Sequence, residues 1–382
     1  MLPGIFTFNF RTGKVSVKIL ATLAWCGLIL GLVWWGENRA ANSNMRVKWL
    51  LTVSMDCTAR VWDLKTGRPV GQPMDCVGWA NGAFSPNGKW VVVASDQNNV
   101  RVWNARTGNA VSPEMKHNQI VSSAIFSADS TRVLTVSEDN AARVWDAQTG
   151  LLVGQPMRHD ERISSASFSP DGKWVLTGSS DRTARVWDAQ TGLPAGPPMK
   201  HESWVSFARF SPDGKTIMTC DGAVRNWDPQ SGEQVSPPIK IISADISVMS
   251  FSSDGRKLLT VARDHTVQIW DVRTGLTVGQ PMKHDKDAWA SFSPNGAWVV
   301  TASREPAARV WSAQTGLLVS APMKRFSELN SVNFSPDSKW VVTASSWGPA
   351  QVWDAQTGLP VGPPIHDSVT FACFSPASTW GD

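Results

Sequence analysis

The sequence predicts an all-β protein, a single closed ring of eight blades with four antiparallel strands each, preceded by one hydrophobic helix. Two markers that share one period support this fold. The first is a Trp that recurs at intervals of 40 to 43 residues, at Trp62, Trp103, Trp145, Trp187, Trp227, Trp270, Trp311 and Trp353. The second is a Phe-Ser pair, at Phe84, Phe126, Phe168, Phe210, Phe251, Phe292, Phe334 and Phe374. Two independent markers with one period indicate tandem repeats.

The segment before the repeats predicts a membrane anchor. Residues 1–18 form a basic N-terminal segment, residues 19–36 carry no charge, and residues 37–44 form a linker to the repeats at 45–382. A helix over residues 19–36 rises about 27 Å, enough to cross a bilayer core with little tilt. We therefore expect a single-pass membrane protein.

Two alternatives to the anchor stay open. A cleaved signal peptide would give a secreted protein, and translation from Met45 would give a cytoplasmic one. The basic residues are balanced across the apolar segment, with Arg11, Lys14 and Lys18 before it and Arg39, Arg46 and Lys48 after it. The side of the membrane that carries the repeats is therefore undetermined.

One repeat, residues 159–200, shows the predicted content of a blade. "RISSASFS", "KWVLTGSS", "TARVWDA" and "LPAGPPMK" read as four strands, separated by turns rich in Gly, Pro and Asp. Pro197 and Pro198 cannot donate to a strand ladder, so the fourth strand must lie at an edge. Four strands with a proline-marked edge, stacked radially, describe a blade of a β-propeller.

The repeats resemble the WD-repeat β-propeller family over about residues 45–380, in the tandem style of bacterial members. The motifs that carry the resemblance are "FSPDGK", "TGSSD", "TARVWD" and a His before the first strand. It implies a hydrogen-bonded structural set of His, Thr, Asp and Trp within a blade. By spacing, two sets match, namely His117, Thr135, Asp139 and Trp145, and His159, Thr177, Asp181 and Trp187. In the Trp227 repeat, Ile217 occupies the expected Thr position.

The two ends of the chain predict how the ring closes. The chain enters the repeats at a second strand, and its C-terminal "SVTFACFSP" is a first strand without successors. N-terminal strands two to four and C-terminal strand one would complete an eighth blade and leave no open edge. Joining the ends also completes a third set from His366, Thr52, Asp56 and Trp62. An open or truncated array, or the family's commoner seven blades, is the alternative.

Composition argues against several function classes. The net charge is only +4, with 36 basic and 32 acidic residues and no basic stripe, so we expect no nucleic-acid binding. Five irregularly spaced cysteines suggest neither a disulfide framework nor a metal site. Five of the six histidines share one repeat position, which indicates a structural role. We expect no catalysis, no metal and no cofactor.

The function is expected where the repeats differ, in the loops around the histidines and the turns before the third strands. Aromatic and Arg residues dominate binding hot spots. The candidate partner-binding residues in these loops are Arg162, Trp204, Trp289, Arg304, Arg325, Phe326 and Trp347. The sequence therefore predicts a noncatalytic, monomeric scaffold for a protein or peptide partner. The alternatives are a small-ligand sensor or an enzyme centred on the channel.

Overall fold

The computed structural model describes residues 48–376 apart from residues 55, 77–79, 96, 241–245, 287, 304–306, 325–328, 346–347 and 366–368. The predicted hydrophobic helix at 19–36 lies outside the described residues. Within them, the chain forms eight sheets of four antiparallel strands. The prediction of an eight-bladed propeller is therefore confirmed.

The strands follow one order in every blade, from the channel to the rim. Blade 1 contains β1 (Trp49–Ser54), β2 (Thr58–Asp63) and β3 (Arg68–Asp75), with β32 (Val369–Phe374) inside β1 as its innermost strand. Blade 2 contains β4 (Ala80–Phe84), β5 (Trp90–Ser95), β6 (Asn99–Asn104) and β7 (Met115–Lys116). Blade 3 contains β8 (Val121–Phe126), β9 (Arg132–Ser137), β10 (Ala141–Asp146) and β11 (Leu152–Arg158). Blade 4 contains β12 (Ile163–Phe168), β13 (Trp174–Ser179), β14 (Thr183–Asp188) and β15 (Met199–Lys200).

The second half of the ring repeats this order. Blade 5 contains β16 (Phe207–Phe210), β17 (Ile217–Cys220), β18 (Ala223–Trp227) and β19 (Gln234–Lys240). Blade 6 contains β20 (Ile246–Phe251), β21 (Lys257–Ala262), β22 (Thr266–Asp271) and β23 (Thr277–Lys283). Blade 7 contains β24 (Ala288–Phe292), β25 (Trp298–Ser303), β26 (Ala307–Ser312) and β27 (Met323–Lys324). Blade 8 contains β28 (Ser331–Phe334), β29 (Trp340–Ser345), β30 (Gly348–Asp354) and β31 (Pro360–Ile365).

Blade 1 joins the two ends of the chain, as the sequence predicts. β1 pairs with β32 in an antiparallel register that places Leu50 opposite Phe374 and Thr52 opposite Ala372. Beyond the paired strands, the Ser375 N–H donates to the Trp49 carbonyl at 2.9 Å. The ring is closed because β32 covers the inner edge of β1, which would otherwise be an unpaired edge.

The core consists of layers between neighbouring blades. In one such layer, Leu51 and Met74 of blade 1 pack with Val91 and Trp103 of blade 2. The second strands are buried along nearly their whole length, as in "WVLTGS" of β13, because both of their faces meet a neighbouring blade. The repeated Trp side chains therefore lie between blades.

The outermost strands differ from the prediction in length. β7, β15 and β27 contain only two residues each and are supplemented by single bridges such as Trp187 to Pro194. The sequence predicts a full fourth strand over 193–200, yet only Met199 and Lys200 form one. Pro197 and Pro198 supply no N–H to the ladder, but the equivalent proline pairs of β19 and β31 lie within full-length strands, so the prolines alone do not explain the shortening.

Candidate functional site

The repeated tryptophans are anchored by threonines on the neighbouring strand. The indole Nε1–H donates to a Thr Oγ1 in seven of the eight blades, at 2.7 to 2.9 Å. The pairs are Trp62–Thr52, Trp145–Thr135, Trp187–Thr177, Trp227–Thr219, Trp270–Thr260, Trp311–Thr301 and Trp353–Thr343. A buried indole N–H needs an acceptor, and these threonines provide it without a charge.

Blade 4 brings together all four residues of its predicted set. His159 Nε2 lies 2.7 Å from Thr177 Oγ1, and His159 Nδ1 lies 2.7 Å from Asp181 Oδ2. Because Thr177 Oγ1 accepts from Trp187, its own proton is available to His159 Nε2. A neutral imidazole then carries its proton on Nδ1 and donates it to Asp181. This chain of hydrogen bonds ties the loop before β12 to β13, β14 and the turn between them.

Blade 3 departs from its predicted set at the aspartate. His117 Nε2 lies 2.8 Å from Thr135 Oγ1, but His117 Nδ1 lies 2.9 Å from the Met115 carbonyl oxygen. Asp139 instead forms an ion pair with Arg143, with a second hydrogen bond of 3.1 Å from Nη1 to Oδ1. Arg143 is buried, and a buried guanidinium requires a carboxylate partner, so Asp139 neutralises Arg143 rather than orienting His117.

Blade 5 corrects the alignment of its threonine. The sequence analysis places Ile217 at the Thr position by counting ten residues back from Trp227. In the structure, Trp227 Nε1 donates to Thr219, only eight residues away, and His201 Nε2 lies 2.7 Å from the same hydroxyl. The turn between β17 and β18 is shorter, so Thr219 lies opposite Arg225 as Thr177 lies opposite Arg185 in blade 4.

Blade 2 has lost the set, which the sequence analysis did not identify. Cys76 occupies the position that His117 has in blade 3. The Cys76 N–H donates to the Cys57 carbonyl, just as the His117 N–H donates to the Asn98 carbonyl. Val93 occupies the Thr position, and the buried Trp103 Nε1 has no acceptor among the described residues. A cavity of about 60 Å³ lies beside these side chains. Burial raises the pKa of the Cys76 thiol to about 12, so the thiol is neutral.

In blade 1, only part of the predicted set lies within the described residues. Trp62 donates to Thr52 at 2.8 Å. The Asp56 carboxylate accepts hydrogen bonds from the backbone and hydroxyl of Thr58 and lies 3.5 Å from Arg60. His366 lies outside the described residues, so its predicted contact with this blade stays a prediction.

The histidines of these sets are held neutral. Burial, followed by the charge of Arg143, lowers the pKa of His117 to about 4. Burial also lowers the pKa of His159 and of His201, although Asp181 and Asp221 oppose the shift. A buried neutral imidazole with both nitrogens hydrogen-bonded is suited to structural support rather than to proton transfer.

No group of three or more His, Cys, Asp or Glu side chains that could hold a metal ion occurs among the described residues. The free thiols of Cys76 and Cys220 are buried.

The described loops around the histidines and the described turns before the third strands lie on one face of the ring, here called the His face. The Phe-Ser turns lie on the opposite face. Trp204, in the loop before β16, is 46% exposed, and Trp289, near the start of β24, is 38% exposed. Arg162 precedes β12, is largely exposed and lies 3.7 Å from Glu138. The remaining candidates, Arg304, Arg325, Phe326 and Trp347, lie outside the described residues.

Two of these candidates meet at a cleft in the channel of the ring. Arg162 and Trp204 line a space of about 700 Å³ on the His face, which is bounded by blades 3 to 6. Arg209 and Phe207 of β16 form its floor, and Arg263 lies at its rim. We call this space the Arg209 cleft. Trp289 does not line it, but occupies in β24 the place that Phe207 occupies in β16.

Family models recognise the repeats directly. The model for the IFT122 first beta-propeller matches residues 121–379, and the model for the WD domain, G-beta repeat matches residues 44–63 and 76–104. The chain belongs to the WD-repeat β-propeller family. This membership agrees with the tryptophan-centred sets described above. No curated protein gives a significant match.

Solved structures support the same fold. The crystal structure of the computationally designed Ika8 protein is similar to this WD-repeat chain, with a TM-score of 0.64 and 25% sequence identity. The similarity covers 75% of this chain and 87% of the designed one. Among the residues that the structure describes, no helix is long and apolar enough to span a membrane.

Proposed function

We propose that this protein is a noncatalytic interaction platform, which binds a protein or peptide partner on the His face. The observation that carries the proposal is the exposed indole of Trp204 beside Arg162 at the mouth of the Arg209 cleft. Exposed Trp and Arg side chains at a concave surface are typical of binding hot spots. Proteins with WD-repeat propellers are also typically noncatalytic scaffolds.

A matched pair of tryptophan substitutions tests the binding face. Trp204→Ala removes an exposed indole from the His face, and Trp174→Ala removes one that is 37% exposed near the opposite face. We expect proximity labelling in the native cell to recover partners with the wild type and Trp174→Ala but to lose them with Trp204→Ala. Equal recovery by both variants would show that the partner binds elsewhere.

We propose in addition that residues 19–36 hold the propeller at a membrane. The support is the uncharged apolar length of this segment, with Trp34 and Trp35 at its end where an interface is expected. Fractionation of cells that express the full chain, beside a chain without residues 19–36, tests this. Full-length chain in the soluble fraction would contradict the proposal.

A small-ligand sensor is a second candidate, because the cleft volume of about 700 Å³ falls in the range of ligand pockets. A thermal-shift screen against metabolites distinguishes the two functions. A ligand at 100 times its Kd stabilises the folded state by about 2.7 kcal/mol, whereas a pure protein-binding platform shows no such hit.

A further inference from the structure

Arg209 is unusual among the residues that line the channel. The eight innermost strands, one from each blade, contain no other charged side chain. The residue before the marker Phe is Ala83 in blade 2, Ser167 in blade 4 and Ser250 in blade 6, but Arg209 in blade 5. The arginine is therefore a feature of this blade and not of the repeat.

The position of Arg209 makes it reachable from the solvent while protein surrounds it. Arg209 lines the cleft on the His face and also a second space of about 590 Å³ on the opposite face. It therefore lies between the two mouths of the channel. Its side chain is exposed to the channel solvent, yet the enclosing walls lower the pKa of the guanidinium through desolvation. Its guanidinium lies 5.4 Å from the centre of the Phe207 ring, which positions it.

Nothing in the described part of the chain neutralises this charge. Among the described residues, no Asp or Glu lines the Arg209 cleft and no carboxylate pairs with Arg209. The walls present neutral hydroxyls instead, from Ser123, Ser165 and Ser206. An enclosed guanidinium that is surrounded by uncharged side chains is electrostatically complementary to an anion. A single arginine at this depth matches one negative charge, whereas phosphate-binding sites generally use clusters of arginines.

We propose that the partner inserts an acidic side chain, Asp or Glu of an extended segment, into the channel, where its carboxylate pairs with Arg209. This inference rests on the proposed binding function. Trp204 covers flanking residues of the segment at the mouth. Arg162 contributes less there, because Glu138 already lies beside it.

An array of matched nonapeptides tests the proposal with the full-length chain. Each set of peptides shares randomised uncharged flanks and carries Glu, Gln, Lys or phosphoserine at the centre. We expect the wild type to retain Glu peptides about tenfold better than their Gln partners, because hydrogen bonds between charged groups are the stronger ones. This preference should decline as the salt concentration rises.

Variants assign the preference to one side chain. Arg209→Gln should abolish the preference for Glu, and Arg209→Glu should favour Lys peptides. Arg256→Gln is the matched control, because Arg256 is an exposed arginine on the turn between β20 and β21. It should leave the preference unchanged. If an Arg209 variant does not fold, the salt dependence of the wild type's preference for Glu peptides still tests whether that preference is electrostatic.

The outcomes separate this proposal from the proposed function. If Trp204→Ala loses the partner but the wild type retains Glu and Gln peptides equally, or retains none, the acidic assignment is wrong and the binding face stands. Stronger retention of phosphoserine peptides than of Glu peptides would contradict the proposal that Arg209 pairs with a single carboxylate. If partner recovery does not depend on Trp204, the proposed function itself fails.

Discussion

At the scale of the residue, each of the eight repeated tryptophans has an indole N–H that requires a hydrogen-bond acceptor. Seven blades supply a Thr hydroxyl, and blade 2 supplies none, because Val93 occupies that position. Valine and threonine have nearly the same shape, so blade 2 can pack without the hydroxyl. The buried Trp103 N–H nevertheless forgoes a hydrogen bond that its seven equivalents form.

We therefore expect Val93→Thr to stabilise the protein. The new hydroxyl would accept from Trp103 Nε1, and a net hydrogen bond contributes about 1 kcal/mol to the free energy of unfolding. Urea denaturation measures the change. The same substitution in a Trp103→Phe background should give no gain, because that background lacks the donor. A gain of equal size in both backgrounds would assign the effect to something other than this hydrogen bond.

The pKa of His117 predicts a loss of stability in acid. Its folded-state pKa is about 4, below the ordinary value of 6.5. Between these values the unfolded chain binds a proton that the folded chain does not, so the free energy of unfolding falls as the pH falls. The shift corresponds to about 3 kcal/mol at most, fully lost once the pH is below about 4.

His117→Asn isolates this contribution. The variant should be less stable than the wild type near neutral pH, because the bond to Thr135 is weakened. Its stability should then fall less steeply on acidification, so that the two curves converge at low pH. Urea denaturation across this range provides the measurement. Parallel curves would mean that His117 titrates normally in the folded protein.

At the scale of the element, neighbouring blades interlock at the rim through glycine. The Gln72 N–H of β3 donates to the Thr107 carbonyl of blade 2 at 2.9 Å, and the same bond recurs from Gln155 to Thr191 and from Gln280 to Thr315. Gly71 makes this approach possible, since a Cβ at this residue would lie 2.5 Å from the Thr107 carbonyl carbon. The repeated "VGQP" is therefore a contact between blades.

Two glycines with the same backbone conformation test the interlock. Gly71 and Gly172 have φ near +70°, but a Cβ at Gly172 would meet no atom within 4 Å. Gly172→Ala should cost about 1–2 kcal/mol from left-handed strain alone. Gly71→Ala adds a backbone clash and should reduce the free energy of unfolding further. Equal losses in urea denaturation would show that the blades do not constrain each other here.

The strands and their order could be predicted because the information is local and repeated. Motifs such as "TARVWD" and "FSPDGK" specify strands and turns by composition. Eight repeats carry versions of these motifs, so a departure in one repeat does not obscure the strand assignment. Thr219 was missed because one shortened turn shifts the count from Trp227. Asp139 was misassigned because the choice between His117 and Arg143 depends on which side chain is buried with it.

Arg209 was missed for a different reason. Variation between repeats points to binding residues in the loops, whereas Arg209 lies within an innermost strand, one residue before a marker Phe. Its significance depends on the assembled ring, which places it between the two channel mouths and away from described carboxylates. A comparison of the eight positions before the marker Phe would have found it as the single charged residue.

At the scale of the whole molecule, stability and function depend on closure. Every layer of the core needs a neighbouring blade, and blade 1 obtains its innermost strand from the distant end of the chain. Trp62 of blade 1 packs with Val342 and Val352 of blade 8, so this junction is as well packed as the others. The channel, and the Arg209 cleft within it, exist because the ring is complete.

Amide hydrogen exchange of β1 tests this closure most directly. In the full-length chain, we predict that the amides of Trp49–Ser54 are protected as strongly as those of β13, which is central in blade 4. In a chain without residues 366–382, β1 becomes an edge strand and its protection should fall, while that of β13 should change little. Rapid exchange of β1 in the full-length chain, or no effect of the truncation, would contradict a ring sealed by β1 and β32.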